Sequence, residues 1–129
     1  MSFKAKLKVG GNEYNVLNCS YKLHQDCDQT GRPSSVTRGG AITMTTESTA
    51  DTFLSDWIIN SWDRKSGSVV FLKRDTDATS KEIKFEEAYM VDFEEKFDST
   101  GDNPMTETFT ISAQKLGVGN AEHVNEWPT

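Results

Sequence analysis

The sequence predicts a mainly β protein: a small antiparallel β-barrel of two sheets with one amphipathic α-helix at about residues 48–62. Three observations support this fold class. Several segments alternate apolar and polar residues, which is typical of strands with one buried face. One segment alone has the three- and four-residue apolar spacing of a helix. The length of 129 residues fits a single domain over residues 1–129.

The longest alternating segment, Lys81–Phe97, is expected to be the central strand. At about 3.3 Å per residue it would span more than 50 Å, so it must bend or break. Glu86 and Glu87 interrupt its apolar side and predict a bulge there. The apolar side is predicted to carry Ile83, Phe85, Tyr89, Val91, Phe93 and Phe97. A long bent strand of this kind can turn the corner of a barrel.

The first part of the chain predicts a hairpin followed by an exposed loop. Phe3–Val9 alternates lysine with apolar residues and is followed by a glycine turn. In the next strand the apolar parity slips at Val16 and Leu17, which predicts a bulge or corner. Gln25–Ser35 is polar and long enough that a functional role is expected. Gly39 and Gly40 predict a kink or a close approach of another backbone.

The single helix is predicted over Ser48–Ser61. Ser48 stands three residues before Asp51, which is the spacing of a capping box. The cationic and glycine residues from Lys65 to Gly67 are expected to end the helix. Its apolar face would consist of Phe53, Leu54, Trp57, Ile58 and Trp62. Such a helix would cover an open end or side of the barrel.

A late strand, Met105–Lys115, has an uncharged polar face. Its outward residues are predicted to be Thr106, Thr108, Thr110, Ser112 and Gln114. Charged stripes lie elsewhere, with lysines at 4, 6 and 8 and acidic residues at 82, 86, 92 and 94. Two interpretations of these stripes remain open. They could make exposed sheet edges soluble, or they could pair between copies of the chain.

Composition argues against several classes of function. The net charge of −6 disfavours a nucleic-acid partner, which requires clustered basic residues. The two histidines are about a hundred positions apart, and Cys19 and Cys27 are expected to be reduced thiols rather than metal ligands. We therefore expect no catalytic residues, no metal and no cofactor, and no enzymatic activity. The start of the chain has no apolar run, so neither a signal peptide nor membrane insertion is expected.

The residues Gly31-Arg32-Pro33-Ser34-Ser35-Val36-Thr37-Arg38-Gly39-Gly40, then Ile42, Glu47-Ser48 and the helix with Trp57, carry a family resemblance. With the late alternating strands they make the chain similar to the haemolysin-coregulated proteins (Hcp, or TssD) of Bacteroidetes. These are the inner-tube subunits of type VI secretion systems. The resemblance covers nearly the whole chain.

The resemblance implies a homo-hexamer whose stacked rings form a hollow tube, with secreted effector proteins, a tip (spike) protein and a contractile sheath as partners. It implies assembly in the cytoplasm and then secretion by the protein's own machine. The loop after the second strand would make subunit and ring contacts, through Asp26, Asp28, Arg32, Pro33, Arg38, Gly39 and Gly40. Arg32 and Arg38 are expected to meet acidic residues of an adjacent subunit or ring. The face from Thr106 to Gln114 would suit a lumen or a neighbour.

Two alternatives stay open. The chain could be the tube protein of a related contractile injection system or phage tail, which share this architecture. It could instead be a carrier barrel, with Tyr21, Trp57, Trp62 and Tyr89 lining a pocket for a small apolar ligand. A 129-residue barrel also needs such aromatic residues to fill its core.

Overall fold

The computed structural model describes residues 3–35, 38–49, 51–73, 79–101, 104–119 and 121–125, and at positions 3, 38, 79 and 80 the backbone alone. It confirms the mainly β prediction. The elements in chain order are β1 (Phe3–Val9), β2 (Asn12–His24), β3 (Arg38–Glu47), α1 (Phe53–Ile59), β4 (Arg64–Lys73), β5 (Thr79–Phe97), β6 (Met105–Val118) and β7 (Ala121–Val124).

The strands form one antiparallel sheet in the order β3-β2-β1-β4-β5-β6-β7. Pairing of β3 with β6, from Ala41 opposite Ser112 to Glu47 opposite Thr106, closes six strands into a barrel. The short strand β7 lies outside the barrel and pairs with β6 at residues 115–118, beyond the last pair of β6 with β3. The two predicted sheets are therefore parts of one sheet that closes on itself, as barrels require.

The barrel interior is filled by side chains from every barrel strand and from α1. Trp57 of the helix stacks on Phe85 of β5, with ring centroids 6.5 Å apart. The other large, fully buried side chains include Leu7, Ile42, Met44, Leu54, Val69, Ile83, Phe109, Ile111 and Leu116. These residues form one continuous hydrophobic core.

Bulges decide which side chains of the long strands face the core. The predicted irregularities are present, at Leu17 in β2 and at Glu86–Glu87 in β5. A second bulge in β5, at Val91, was not predicted. Because each bulge shifts the alternation by one residue, Ala88 and Met90 are buried, whereas Val91 is 57% exposed. The prediction that Tyr89 and Val91 share the apolar face of Ile83 is therefore wrong.

The helix is shorter than predicted and begins later. It spans Phe53–Ile59, and its N-cap, Thr52, makes no side-chain capping hydrogen bond. Ser48 does not cap the helix: its Oγ donates to Glu95 Oε2 at 2.9 Å. Asp51 Oδ1 accepts the Phe53 N–H at 3.1 Å and the Tyr14 hydroxyl at 3.0 Å, which ties the helix start to β2.

The predicted helix end is also wrong, because residues 65–67 lie inside β4. The chain turns earlier, at Trp62, which has a positive φ of 69°. This residue was expected on the buried helix face but is 85% exposed.

Candidate assembly surface

Four strand segments form a wall of the barrel whose outer side is polar and mostly uncharged. They are 17–24 of β2, 38–47 of β3, 105–112 of β6 and 91–97 of β5, paired in that order. Thr43 Oγ1 lies 3.0 Å from Thr110 Oγ1, and Thr45 Oγ1 lies 3.0 Å from Thr108 Oγ1, so two hydroxyl pairs cross the middle of the wall. We call this outer side the hydroxyl face; it also includes Asn18, Ser20, Thr106 and Ser112.

The structure places the predicted polar residues of β6 at this face, with the exception of Gln114. Thr106, Thr108, Thr110 and Ser112 alternate with the buried residues of β6 opposite β3. Gln114 lies beyond the last β3–β6 pair, Ala41 with Ser112, and its backbone oxygen accepts the Asn125 N–H at 2.7 Å. Gln114 therefore borders the segment after β7 rather than the hydroxyl face.

Both lateral edges of this wall lack a strand partner within the described part of the chain. On β2, pairing with β1 ends at Val16, so residues 17–24 pair with β3 alone. On β5, pairing with β4 ends at Tyr89, so residues 91–97 pair with β6 alone. Unpaired backbone N–H and C=O groups along a strand form a template for adding another strand.

The predicted loop, Gln25–Ser35, is an ordered hairpin-like arm. Cys27 and Pro33 form an isolated antiparallel bridge. Asp28 Oδ1 accepts the N–H groups of Thr30 at 2.9 Å and Arg32 at 3.1 Å, and the Thr30 hydroxyl at 2.6 Å. These hydrogen bonds, from Thr30 first and then Arg32, hold the pKa of Asp28 below its ordinary value.

The two acidic residues that were predicted to make contacts also help build the arm. The backbone oxygen of Asp26 accepts the Ser34 N–H at 2.7 Å, and Asp28 organises the tip. Arg32 is exposed and its backbone takes part in the turn, since its oxygen accepts the Asp28 N–H at 2.8 Å. Arg38 begins β3, and its side chain lies outside the described atoms, as do residues 36 and 37.

Gly39 and Gly40 form the junction between the arm and the hydroxyl face. Gly40 has a φ of +98°, and a Cβ there would meet the Ala113 backbone oxygen at 2.8 Å. Asn125 covers this point, because its Nδ2 donates to the backbone oxygens of Gly39 and Ala113, both at 2.9 Å. The predicted close backbone approach is thus present, and the β2–β3 register is irregular between Ile42 and Gly39.

A buried acidic group lies at the opposite end of the wall. Glu107 of β6 is 6% exposed and stands opposite Glu95 of β5 and Thr46 of β3. Ser48 Oγ lies 3.3 Å from Glu107 Oε1. Burial, followed by the hydrogen bond and charge of Glu95, raises the pKa of Glu107 to about 7. Glu107 was not singled out from the sequence, because its position in an alternating strand gave no sign of what faces it.

The aromatic residues of the carrier alternative do not gather in one pocket. Trp57 is in the core, whereas Trp62 is on the surface, edge-on to Tyr89 with centroids 6.3 Å apart. Trp62 and Tyr89 border an open groove of about 520 Å³ together with Ile58, Val91 and Ser112. The groove lies beside the open edge of β5.

Exposed apolar residues on the two open edges are features that the sequence analysis missed. Leu17 and Leu23 on β2 are 44% and 42% exposed, and Val91 and Phe97 on β5 are 57% and 63% exposed. The available signal was the break in parity at Leu17. For Val91, the alternation of apolar and polar residues had predicted a buried side chain.

The described residues also bear on other kinds of site. No three His, Cys, Asp or Glu side chains there converge as a metal ion would require. Cys19 and Cys27 are both free thiols. Across the same ranges, no helix has the length and apolar character needed to cross a membrane.

Comparisons with known proteins identify the family. The family model described as hemolysin coregulated protein Hcp (TssD) matches residues 1–128. Hcp1 from Flavobacterium johnsoniae is 53% identical, with a TM-score of 0.90, and the match covers 95% of this chain and 99% of that one. No match was found among curated protein sequences.

More distant structures share the fold alone. Hcp1 from Salmonella typhimurium is 16% identical with a TM-score of 0.76, over 96% of this chain and 95% of that one. A chain of the PVC sheath–tube complex of an extracellular contractile injection system is 17% identical with a TM-score of 0.55, over 91% and 88%. Because the family model spans nearly the whole chain and a 53% identical relative covers 95% of it, the protein belongs to the Hcp (TssD) family, the tube subunits of type VI secretion systems.

Proposed function

We propose that six copies of this chain form a ring, that the rings stack into a hollow tube, and that the tube carries effector proteins out of the cell. The observation that carries this proposal is the four-strand wall with a polar outer side and two unpaired edges. The protein acts as a structural subunit with no turnover of its own.

The positions of the two open edges favour a ring. One edge is on β2 and the other on β5, at opposite sides of the same wall. A contact between two different patches repeats from copy to copy and closes into a ring when the rotation allows. Each added copy would extend the wall by four strands, so a continuous sheet would surround the centre of the ring.

The chemistry of the hydroxyl face suits a lumen. Its central hydroxyls are already paired with each other, as in Thr43 with Thr110, so they offer little binding energy to a passing protein. Its outward residues across β3 and β6 are short and uncharged from Thr43 to Thr108. A wall of this kind would hold water and let a cargo move without tight binding.

The arm is placed to contact a neighbouring subunit or the next ring. We expect Arg32 and Arg38 to face acidic residues of that neighbour, with Pro33 and the Asp28 turn holding the arm in shape. Reversing both charges, with Arg32→Glu and Arg38→Glu, should shorten the assembled tubes while leaving the fold intact. Unchanged tube length and yield would contradict this role. A spike protein at the tip and a contractile sheath outside are the further partners that we infer.

Native mass spectrometry tests the ring directly. A hexamer of the 14.4 kDa chain should appear at about 86 kDa, and negative-stain images should show rings with a central hole. The same chain with Val91→Pro on the open edge of β5 is the matched variant, since proline there blocks addition of a strand. A monomer at high protein concentration would refute the proposal.

A further inference from the structure

The arm is the outer part of the hairpin that β2 and β3 form. The two strands pair as far as His24 with Arg38, and the bridge between Cys27 and Pro33 continues the pairing into the arm. The pairing of β3 with β6 stops at Ala41, so beyond it the ribbon has no third strand within the described part of the chain. Because a two-stranded ribbon is only marginally stable by itself in water, the barrel sheet alone does not hold the arm in one direction.

The chain can bend at the point where this ribbon leaves the barrel. Gly39 and Gly40 lie there, and the register of β2 against β3 is irregular between Ile42 and Gly39. Gly40 has a φ of +98°, and glycine has more accessible backbone conformations than any other residue. Without a further contact, this junction would leave several directions open to the arm.

Asn125 fills a gap between two strands that share one edge of β6. On that edge β3 pairs with β6 as far as Ser112, and β7 pairs with it from Lys115 onward. Asn125 bonds to the two residues between them: its backbone N–H donates to the Gln114 oxygen at 2.7 Å, and its Nδ2 donates to the Ala113 oxygen at 2.9 Å. One residue therefore continues the hydrogen bonding of β6 from β7 to β3.

The side-chain amide of Asn125 also holds the junction itself. Its Nδ2 donates to the Gly39 backbone oxygen at 2.9 Å. Both partners of Nδ2 are carbonyl oxygens, which only accept, so Oδ1 is the atom that accepts from His123 Nε2 at 3.0 Å. A Cβ on Gly40 would lie 2.6 Å from Nδ2, so glycine at this position leaves room for the amide.

From these contacts, we infer that β7 and Asn125 form a clamp on the junction, which sets the direction in which the arm leaves the barrel. The inference rests on the proposed role of the arm in assembly and adds the element that prepares the arm for it. An arm that is held in one direction before it meets its partner loses less conformational entropy on binding, which strengthens the contact. Release of the clamp should free the arm and leave the barrel folded.

Hydrogen exchange followed by mass spectrometry tests the clamp in the full chain. Asn125→Ala removes both side-chain donors, and Asn125→Asp removes them while keeping the size of the side chain. In both variants, residues 38–42 should exchange at least about tenfold faster than in the parent, because two hydrogen bonds that oppose local opening are lost. Residues 43–46 of the same strand pair with both β2 and β6 and should change by less than about twofold. Parent and variants are compared under conditions in which native mass spectrometry shows the same assembly state.

The matched control is Glu122→Gln, which changes a 57% exposed side chain on β7 and leaves Asn125 in place. It should keep the exchange of residues 38–42 within about twofold of the parent, since a surface ion pair contributes little. Unchanged exchange at residues 38–42 in the two Asn125 variants would overturn the clamp. Equal acceleration along the whole of β3 would also overturn it, because Asn125 would then stabilise the barrel in general.

Tube assembly by the same variants separates the clamp from the proposed function. Asn125→Ala should shorten the tubes several-fold relative to Glu122→Gln, because a free arm binds its partner less tightly. Combined with Arg32→Glu and Arg38→Glu, it should add little further shortening, since all three changes act on the same contact. Faster exchange at residues 38–42 with unchanged tube length would refute the role of the clamp in assembly. A parent chain that forms no ring would refute the proposed function, and the exchange rates would still decide whether Asn125 holds the junction.

Discussion

Glu107 shows how a single residue acquires properties that its place in the sequence does not reveal. A glutamate on an alternating strand is ordinarily ionised at neutral pH. Here the barrel closes over it, Glu95 faces it across the β5–β6 pair, and Asp51 adds further negative charge nearby. Ser48 works in the opposite direction, since its hydrogen bond favours the ionised form. Burial dominates, and the pKa of Glu107 rises from 4.5 to about 7.

Glu107→Gln should remove part of the pH dependence of stability. Because the folded-state pKa is raised, the protonated form is favoured, and this stabilisation is present below about pH 4.5 and is lost as pH rises through about 7. Between pH 5.5 and 8.5 the parent should therefore lose on the order of 1–3 kcal/mol more unfolding free energy than the variant. Urea unfolding at several pH values measures the difference.

The matched control for this experiment is Glu94→Gln, which neutralises an exposed carboxylate on the neighbouring strand. It should change the stability little at any of these pH values, because substitutions at exposed positions usually cost less than about 0.5 kcal/mol. The same pH dependence in the parent and in Glu107→Gln would show that Glu107 is ionised throughout.

Gly40→Ala should destabilise the base of the arm. A Cβ there would lie 2.8 Å from the Ala113 backbone oxygen, which cannot rotate away, and the φ of +98° is itself unfavourable for alanine. We expect the free energy of unfolding, measured in urea, to fall by about 2 kcal/mol or more. Gly31→Ala separates the effect of the positive φ from the effect of crowding. Gly31 has a φ of +87° but no atom within 4 Å of its Cβ position, so this variant should lower the free energy of unfolding by only about 1 kcal/mol. Equal losses would mean that crowding at Gly40 is unimportant.

At the scale of elements, the two tryptophans around α1 have opposite roles. Trp57 is buried against Phe85, and its Nε1 donates to the Asp63 backbone oxygen at 2.9 Å, which holds the chain after the helix. Trp62, five residues later, projects from a positive-φ turn beside the open edge of β5. One tryptophan therefore packs inside the barrel, while the turn after the helix presents the other at the surface.

Trp57→Phe should lower the unfolding free energy by about 2 kcal/mol, through lost packing and a lost hydrogen bond, without preventing folding. Trp62→Phe makes the same chemical change at an exposed position and should cost about 0.5 kcal/mol or less. Thermal or urea unfolding, followed by circular dichroism, compares the two variants. Similar losses from both would contradict the assignment of Trp57 as the core residue of the helix.

At the scale of the whole molecule, the closed barrel separates two surfaces. One is the hydroxyl face with its open edges, and the other is the remainder of the barrel, where strands pair on both sides. Lys84 on that second surface has a 71% exposed side chain next to Glu82. If the hydroxyl face surrounds a lumen, the two surfaces should differ in their accessibility to large reagents once the tube is assembled.

Cysteine labelling tests this separation. In the background without Cys19 and Cys27, Thr110→Cys should react with a small maleimide in assembled tubes but at least several-fold more slowly with a polyethylene glycol maleimide. Lys84→Cys should react with both reagents. Mass shifts on denaturing gels measure the rates, and dissociated subunits should label equally at the two positions. Equal labelling of the assembled tubes by the large reagent would place Thr110 outside the lumen.

The sequence by itself determined the fold class, the long bent β5, the bulge at Leu17 and the polar row on β6, because alternation and glycine placement are local consequences of strand geometry. It also placed the arm and the glycine junction at its base. It predicted the start of the helix less well. Ser48 has the spacing of a capping box, but its hydroxyl donates to Glu95 on a distant strand instead.

Only the tertiary structure decided which residues face outward along β5 and where pairing stops. The bulge at Val91 depends on the register against β6, and the open edges exist because the pairing of β2 with β1 stops at Val16 and the pairing of β5 with β4 stops at Tyr89. The burial of Glu107 likewise depends on barrel closure between β3 and β6. These features arise from pairings between residues far apart in the chain, and no local pattern of residues encodes where such a pairing begins or ends.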